Sequence, residues 1–294
     1  MQQMPRRRNT VDPEMAQLNA AADGVNNNHR RAALPQRVFH YTSLPAALDI
    51  VASRQLWCSN TRYSNDPSES DYGQKLIEQV IRRDPHFKFT GLLQTIRVTE
   101  SYATSFSADP DLQPQWRAYC LNGRGLAVGV GTDTLLKRKA MIFMRVEYVR
   151  RAQSELIRSM LDVFRQAIIA AAGNQSRLGQ LLERLALGLI VVRAALKNRY
   201  YESEREYRLI DAVPANSYAR SADVRFRATT TVVAPYLVAD LTQSSAETAR
   251  EPIEEVRVGP CLNYELVASA LQLYCHKHRR RFEITKSKVR MRCE

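Results

Sequence analysis

Glycine and proline are scarce, 11 and 12 of 294 residues, which excludes collagen-like repeats and Pro/Gly-rich linkers. Long apolar runs are missing as well. The longest, residues 185–192, is eight residues set between Arg184 and Arg193, where a membrane-spanning helix needs roughly 20. No apolar stretch follows Arg6, Arg7 and Arg8, so a secretory signal is not expected. The five cysteines (Cys58, Cys120, Cys261, Cys275, Cys293) are odd in number and form no CxxC pair. Neither a disulfide framework nor a zinc ribbon is expected, and a reducing compartment is the simpler assumption. Walker loops, GxGxxG after a strand, HExxH and GxSxG are all absent, and Gly123-Arg124-Gly125 matches a glycine-rich loop only in part. His276 and His278 sit in a basic stretch without nearby acids, so no metal is expected.

What is present is an ordinary globular composition. Hydrophobic residues make up 45% of the chain and charged residues 25%, too apolar for a disordered protein. The length suits one large domain or two ordinary ones. Lys and Arg exceed Asp and Glu by 43 to 30, a net charge of +13. The excess is uneven: residues 1–37 carry +3, residues 276–294 carry +6, and the long middle only +4. Basic ends of this kind attract nucleic acid or any other polyanion.

Residues 1–37 read as a polar tail, disordered or weakly helical, with a short helix over residues 13–22. A single α+β domain is expected over residues 38–294. Its strands are predicted at residues 38–41, 56–59, 96–106, 125–130, 142–149, 204–210, 225–228, 232–238 and 255–258. Its helices are predicted at 44–54, 69–83 and 264–278. Residues 153–199 read as an inserted helical hairpin, its helices joined by Gly173-Asn174-Gln175-Ser176, where Gly and Asn stop one helix and Ser176 starts the next.

Several clusters have chemical potential. His40-Tyr41-Thr42-Ser43 ends a strand and opens a helix, so side chains and helix amides converge there. In Tyr102-Ala103-Thr104-Ser105-Phe106-Ser107, alternation puts Ser105 and Ser107 on one face. In Glu202-Ser203-Glu204-Arg205-Glu206-Tyr207-Arg208, a strand would place Glu204, Glu206 and Arg208 together. Paired carboxylates repel unless a cation or a site holds them, and such a pair raises one pKa toward acid/base use. Asn65-Asp66-Pro67-Ser68-Glu69 reads as a turn and helix cap. An exposed Trp116 in Gln115-Trp116-Arg117-Ala118-Tyr119 would stack a flat ligand, and a buried one would be core.

Taken in order, His-Tyr-Thr-Ser, Asn-Asp-Pro-Ser-Glu, Ser-Phe-Ser, Gln-Trp-Arg-Ala-Tyr, Gly-x-Gly-Leu-Ala-Val-Gly and Glu-x-Glu-x-Arg resemble a widespread bacterial family known mainly as a domain of unknown function. The same order resembles the three-part signature of the ADP-ribosyltransferase superfamily: a His strand, a Ser or Tyr strand and a Glu strand. The resemblance implies a mixed-sheet ADP-ribosyltransferase-like core and NAD as co-substrate. It implies that His40 binds the adenosine-side ribose, with Thr42 near the nicotinamide and Tyr41 or Tyr102 stacked on its ring. Ser105 or Ser107 would support the nicotinamide ribose and the glutamate. Glu206 would bind a ribose hydroxyl and polarise the acceptor, while Glu204 orients or deprotonates the nucleophile. A carboxylate suits this chemistry because glycosidic cleavage generates an oxocarbenium ion.

The expected function is therefore ADP-ribosyl transfer from NAD to a protein or nucleic-acid acceptor by a toxin-like or effector-like enzyme, with an antitoxin or inhibitor protein as a further partner. Its location would be the cytoplasm, or a target cell's cytoplasm after delivery. The alternatives are an NAD glycohydrolase, a non-catalytic nucleic-acid-binding module, and a metal-dependent nuclease built on His40, Asp66 and Glu206.

Overall fold

The computed structural model describes residues 12–31, 34–64, 67–87, 91–137, 141–214, 223–229, 231–242 and 251–293. Helix α1 (Pro13–Arg31) leads into strand β1 (Arg37–Ser43), helix α2 (Leu44–Ser53) and strand β2 (Gln55–Asn60). Helices α3 (Pro67–Arg83) and α4 (Leu92–Arg97) precede β3 (Thr99–Ser107), α5 (Gln113–Tyr119), β4 (Gly125–Gly131), α6 (Thr132–Leu136) and β5 (Ile142–Arg145). The hairpin α7 (Arg150–Ala170) and α8 (Gln175–Ala194) follows, then β6 (Glu206–Pro214), β7 (Arg225–Ala228), β8 (Val233–Asp240), β9 (Ile253–Val258), α9 (Tyr264–His278) and β10 (Glu283–Lys286). The described strands join one mixed sheet, in which β9 and β10 are parallel and the other named pairs antiparallel.

Two large cores cover the sheet. On α7, Leu156, Ile157, Met160, Leu161, Phe164 and Ile168 recur at helical spacing and are buried. Apart from Arg193, the second half of α8 is apolar on all sides, and it is enclosed by α3, α4, α7 and strands β3 and β6. The hairpin is thus a core layer. The opposite face carries α2, α6 and α9 over Val38, Leu126, Val128, Phe106 and Leu209. A small third cluster packs Phe39 and Tyr41 against Trp116 and Cys120.

The structure revises several expectations. The N-terminal helix extends to Arg31 and packs Met15, Leu18, Ala22 and Val25 against the hairpin core. These residues recur at helical spacing within a polar segment. The stretch predicted as strand from residue 96 begins as α4, because Leu92 and Ile96 point into that core one helical turn apart. Between the hairpin helices, Asn174 is the cap. Its side chain accepts from the Arg177 amide at 3.0 Å, so α8 starts at Gln175, ahead of Ser176. Cys261 and Cys293 form a disulfide, with Cα atoms 5.3 Å apart. Spacing along the chain did not disclose this pairing, and the reducing-compartment assumption loses the support drawn from the cysteine count. Among the described residues no helix is long and apolar enough to cross a membrane.

Candidate active site

Strand β3 is paired along its whole length with β6 on one edge, from Thr99↔Pro214 to Ser107↔Glu206. The other edge must serve two strands. β2 meets it only at Ala103 and Tyr102, and β1 only at Ser107. Between these contacts the two strands splay apart, with α2 bridging them. Ala103, Ser105 and Ser107 present their backbone groups to this edge, as alternation in an antiparallel strand requires. The first is taken by β2 and the last by β1, which leaves Ser105 facing the opening. Its carbonyl accepts a hydrogen bond from His40 Nδ1 at 2.9 Å. The Ser105 N–H faces the same way and is placed to donate to a ligand.

A cavity of about 850 Å³ occupies this split, a size suited to a drug-sized or nucleotide ligand. His40, Thr42, Thr104, Ser105, Glu204 and Glu206 line it together. Because a carbonyl only accepts, His40 Nδ1 carries the proton and Nε2 offers a lone pair. Burial lowers the His40 pKa, outweighing the Ser105 carbonyl, which favours the imidazolium. The ring is accordingly a neutral acceptor at pH 7.

The acidic side of the cavity is a compact ion network. Arg208 Nε donates to Glu206 Oε1 at 2.6 Å and its Nη2 to Oε2 at 3.0 Å. Lys197 Nζ donates to Glu206 Oε2 at 3.2 Å and to Glu204 Oε2 at 2.6 Å. Arg208 Nη1 is also tied to the Ala194 carbonyl at the end of α8, at 2.9 Å. Burial alone would push the Glu206 carboxyl up. The charges of Arg208 and Lys197, with hydrogen bonds from Arg208 and Ser105, overcome this and hold it at about 2. Glu206 is therefore a permanent carboxylate.

Glu204 lies outside β6, contrary to the single-strand expectation. It ends a short 3₁₀ turn (Arg199–Glu204), and Arg205 at φ 47° breaks the chain before β6 starts. The two acids still converge, through Lys197. Ser107 is not among the cavity-lining residues: its hydroxyl donates to the Glu204 carbonyl at 2.8 Å and accepts from the Asp109 amide at 3.1 Å. It holds the turn that carries Glu204.

Of the two tyrosines proposed as ring stackers, Tyr41 lines the cavity and Tyr102 does not. Tyr102 is buried in the core beside Phe106 and away from the cavity lining. Tyr41 packs edge-on against Trp116, donates through its hydroxyl to the Asp109 carbonyl and accepts from the Leu112 amide. Trp116 is fully buried and its indole N–H donates to Asp111 at 2.8 Å, so it is core. Exposed rings at the cavity come from Trp57, Tyr63, Tyr119 and Tyr201. Trp57 stacks at a tilt on Tyr236, centroids 4.6 Å apart, and the Arg227 guanidinium lies 5.6 Å from its ring centre. Of the Asn65–Glu69 motif, Asn65 and Asp66 lie outside the described residues, while Pro67 opens α3.

Sequence reasoning missed Lys197, Arg193, Arg225 and Arg227, all of which line the cavity. Only one signal was available for the first two, an Arg and a Lys four residues apart that close the longest apolar run of the sequence. The family described as a protein of unknown function (DUF2971) matches residues 115–209. That span holds Gln115, Lys197, Glu204 and Glu206, and it leaves His40 and Ser105 outside. No curated protein and no solved structure matches the chain.

Proposed function

We propose that the protein transfers ADP-ribose from NAD to a protein or nucleic-acid acceptor. The observation that carries this reading is the convergence of His40 from β1, Ser105 from β3 and Glu206 from β6 on one cavity at the split of the sheet. His40 Nε2 accepts a hydrogen bond from a ribose hydroxyl, and the Ser105 amide donates to a ligand oxygen. Glu206 is ionised but already accepts from Arg208, Lys197 and Ser105. It acts through its field, stabilising the positive charge that develops on the ribosyl carbon. Glu204 has more access to the cavity, with 18% of its side chain exposed against 6% for Glu206. It takes the acceptor's proton as the new glycosidic bond forms and nicotinamide leaves. The rim aromatics offer the stacking surfaces first sought at Tyr41 and Tyr102.

Hydrolysis of NAD by the same groups, with water as acceptor, is the nearest alternative. The nuclease reading is less favoured, because Arg208 and Lys197 already occupy the Glu206 oxygens that a metal would need. The test is nicotinamide release from NAD, with and without protein or nucleic-acid acceptors. Wild type is expected to release nicotinamide, and His40→Gln and Glu204→Gln to lose at least about 100-fold in rate. No release with any acceptor, or full rates in both variants, overturns the proposal. Release that is independent of every acceptor favours the glycohydrolase.

A further inference from the structure

Three cations near the end of α8 line the cavity, and two of them are matched by acids. Lys197 and Arg208 face Glu204 and Glu206. Arg193, one helical turn before Lys197, is different. It is 6% exposed and lines the cavity. Among the described residues it hydrogen-bonds to neutral groups: Nη1 donates to Gln74 Oε1 at 3.2 Å and Nη2 to Ser101 Oγ at 3.1 Å. Among the described residues no carboxylate pairs with it. Burial lowers its pKa to about 10, the Arg62 charge acts in the same direction, and Glu100 only partly offsets both.

An enclosed cation without a counter-ion is costly, and such groups occur where a ligand supplies the missing charge. The side chain is also held in place. A Cβ added at Gly73 would lie 3.0 Å from Arg193 Cγ and 2.8 Å from its carbonyl oxygen, so α3 closes on the aliphatic stem. Hydroxyls stand beside the guanidinium. Thr61 Oγ1 and Ser101 Oγ are 2.7 Å apart, and Thr61 also lines the cavity. A fixed guanidinium fork flanked by hydroxyls matches a tetrahedral oxyanion better than a planar or neutral group.

We infer that Arg193, with Thr61, forms an oxyanion subsite in the wall of the cavity that receives a phosphoryl group of the bound ligand. The inference goes beyond the transferase reading, since a phosphate-bearing ligand of any chemistry would fill the subsite. The shared chemistry is a phosphate or diphosphate, contributed by a nucleotide or by a free inorganic anion.

Calorimetric titration of the full chain with inorganic pyrophosphate, ADP and adenosine tests this. Wild type is expected to bind pyrophosphate and ADP, and Arg193→Met to weaken both at least 10-fold while leaving adenosine affinity unchanged. Without ligand, Arg193→Met is expected to melt at or above the wild-type temperature, because it removes a buried, unmatched charge. Arg193→Lys keeps the charge without the fork and should fall between the two, which preserves the test if the Met variant does not fold. ADP binding tighter than pyrophosphate assigns the group to a nucleotide, and equal affinities assign it to a free anion. Absence of pyrophosphate and ADP binding by wild type, or undiminished binding by Arg193→Met or Arg193→Lys, overturns the inference. An enzyme that binds ADP through Arg193 yet releases no nicotinamide from NAD would sink the transferase reading alone.

Discussion

Replacing Glu206 with Gln gives the sharpest physical test of the ion network. The substitution keeps the volume and removes the charge. Arg208, whose side chain is 10% exposed, then loses both carboxylate oxygens of its fork, and Lys197, 3% exposed, loses one of its two acids. Breaking a buried ion pair from one side costs about 3–5 kcal/mol. For a chain of this size that corresponds to a fall in Tm of roughly 5–8 °C. The pH dependence has a definite sign. The folded carboxyl sits at about 2, below its ordinary 4.5. Its stabilisation is therefore complete above pH 4.5 and is lost as the pH falls from there toward 2. The gap between wild type and Glu206→Gln should be widest near neutral pH and close on acidification. Adding Arg208→Met to the variant should restore part of the loss, since the buried cation that faced the lost carboxylate is gone. Thermal unfolding followed by circular dichroism from pH 7.5 to pH 3 measures all three effects. A variant within about 1 kcal/mol of wild type at neutral pH, or a gap that does not change with pH, refutes the reasoning.

Two further expectations concern the scaffold. Gly125→Ala would place a Cβ 2.2 Å from the Thr42 carbonyl oxygen and 2.8 Å from Cys120 Cβ, forcing β4 away from the strand that carries His40. A loss of about 1–3 kcal/mol is expected in urea unfolding, together with weaker ligand binding, and an unchanged midpoint would show that the contact yields freely. Reducing the Cys261–Cys293 bond opens a loop of 32 residues, worth about 3–4 kcal/mol in a chain-entropy treatment. A dithiothreitol-treated sample and Cys293→Ser should both melt lower, and identical melting curves would exclude a stabilising disulfide.

The sequence foretold those parts of the molecule that depend on local periodicity. β1, α2, β4 and α9 are visible as alternating or helical patterns of Val, Leu and Ala. Where the outcome depended on distant partners, the pattern was silent or misleading. Ser105 and Ser107 look equivalent in sequence, yet only Ser105 falls where both neighbouring strands have left the edge of β3. Tyr41 and Tyr102 have the right chemistry for stacking, but Tyr102 is packed away from the cavity, and Tyr41, in its wall, is largely buried against Trp116. Lys197 and Arg193 were lost among 43 basic residues. Their significance arises from burial, which no count of charges records. Glu204 and Glu206 were linked for the wrong reason, a common strand face, and are joined by Lys197 from the segment between α8 and the 3₁₀ turn.

The bridge between the diverging strands has a mechanical consequence. Helix α2 is ten residues, a strut of about 15 Å, fixed at one end to the strand bearing His40 and at the other to the strand bearing Trp57. It spans the split as a rod, with Ala47, Ile50 and Val51 on its inner face packed into the core. One residue more or less would move one jaw by about 1.5 Å and rotate it by roughly a quarter turn. The same change would turn Ala47, Ile50 and Val51 away from the core they share with the sheet, so slot width and core packing are coupled through this one helix.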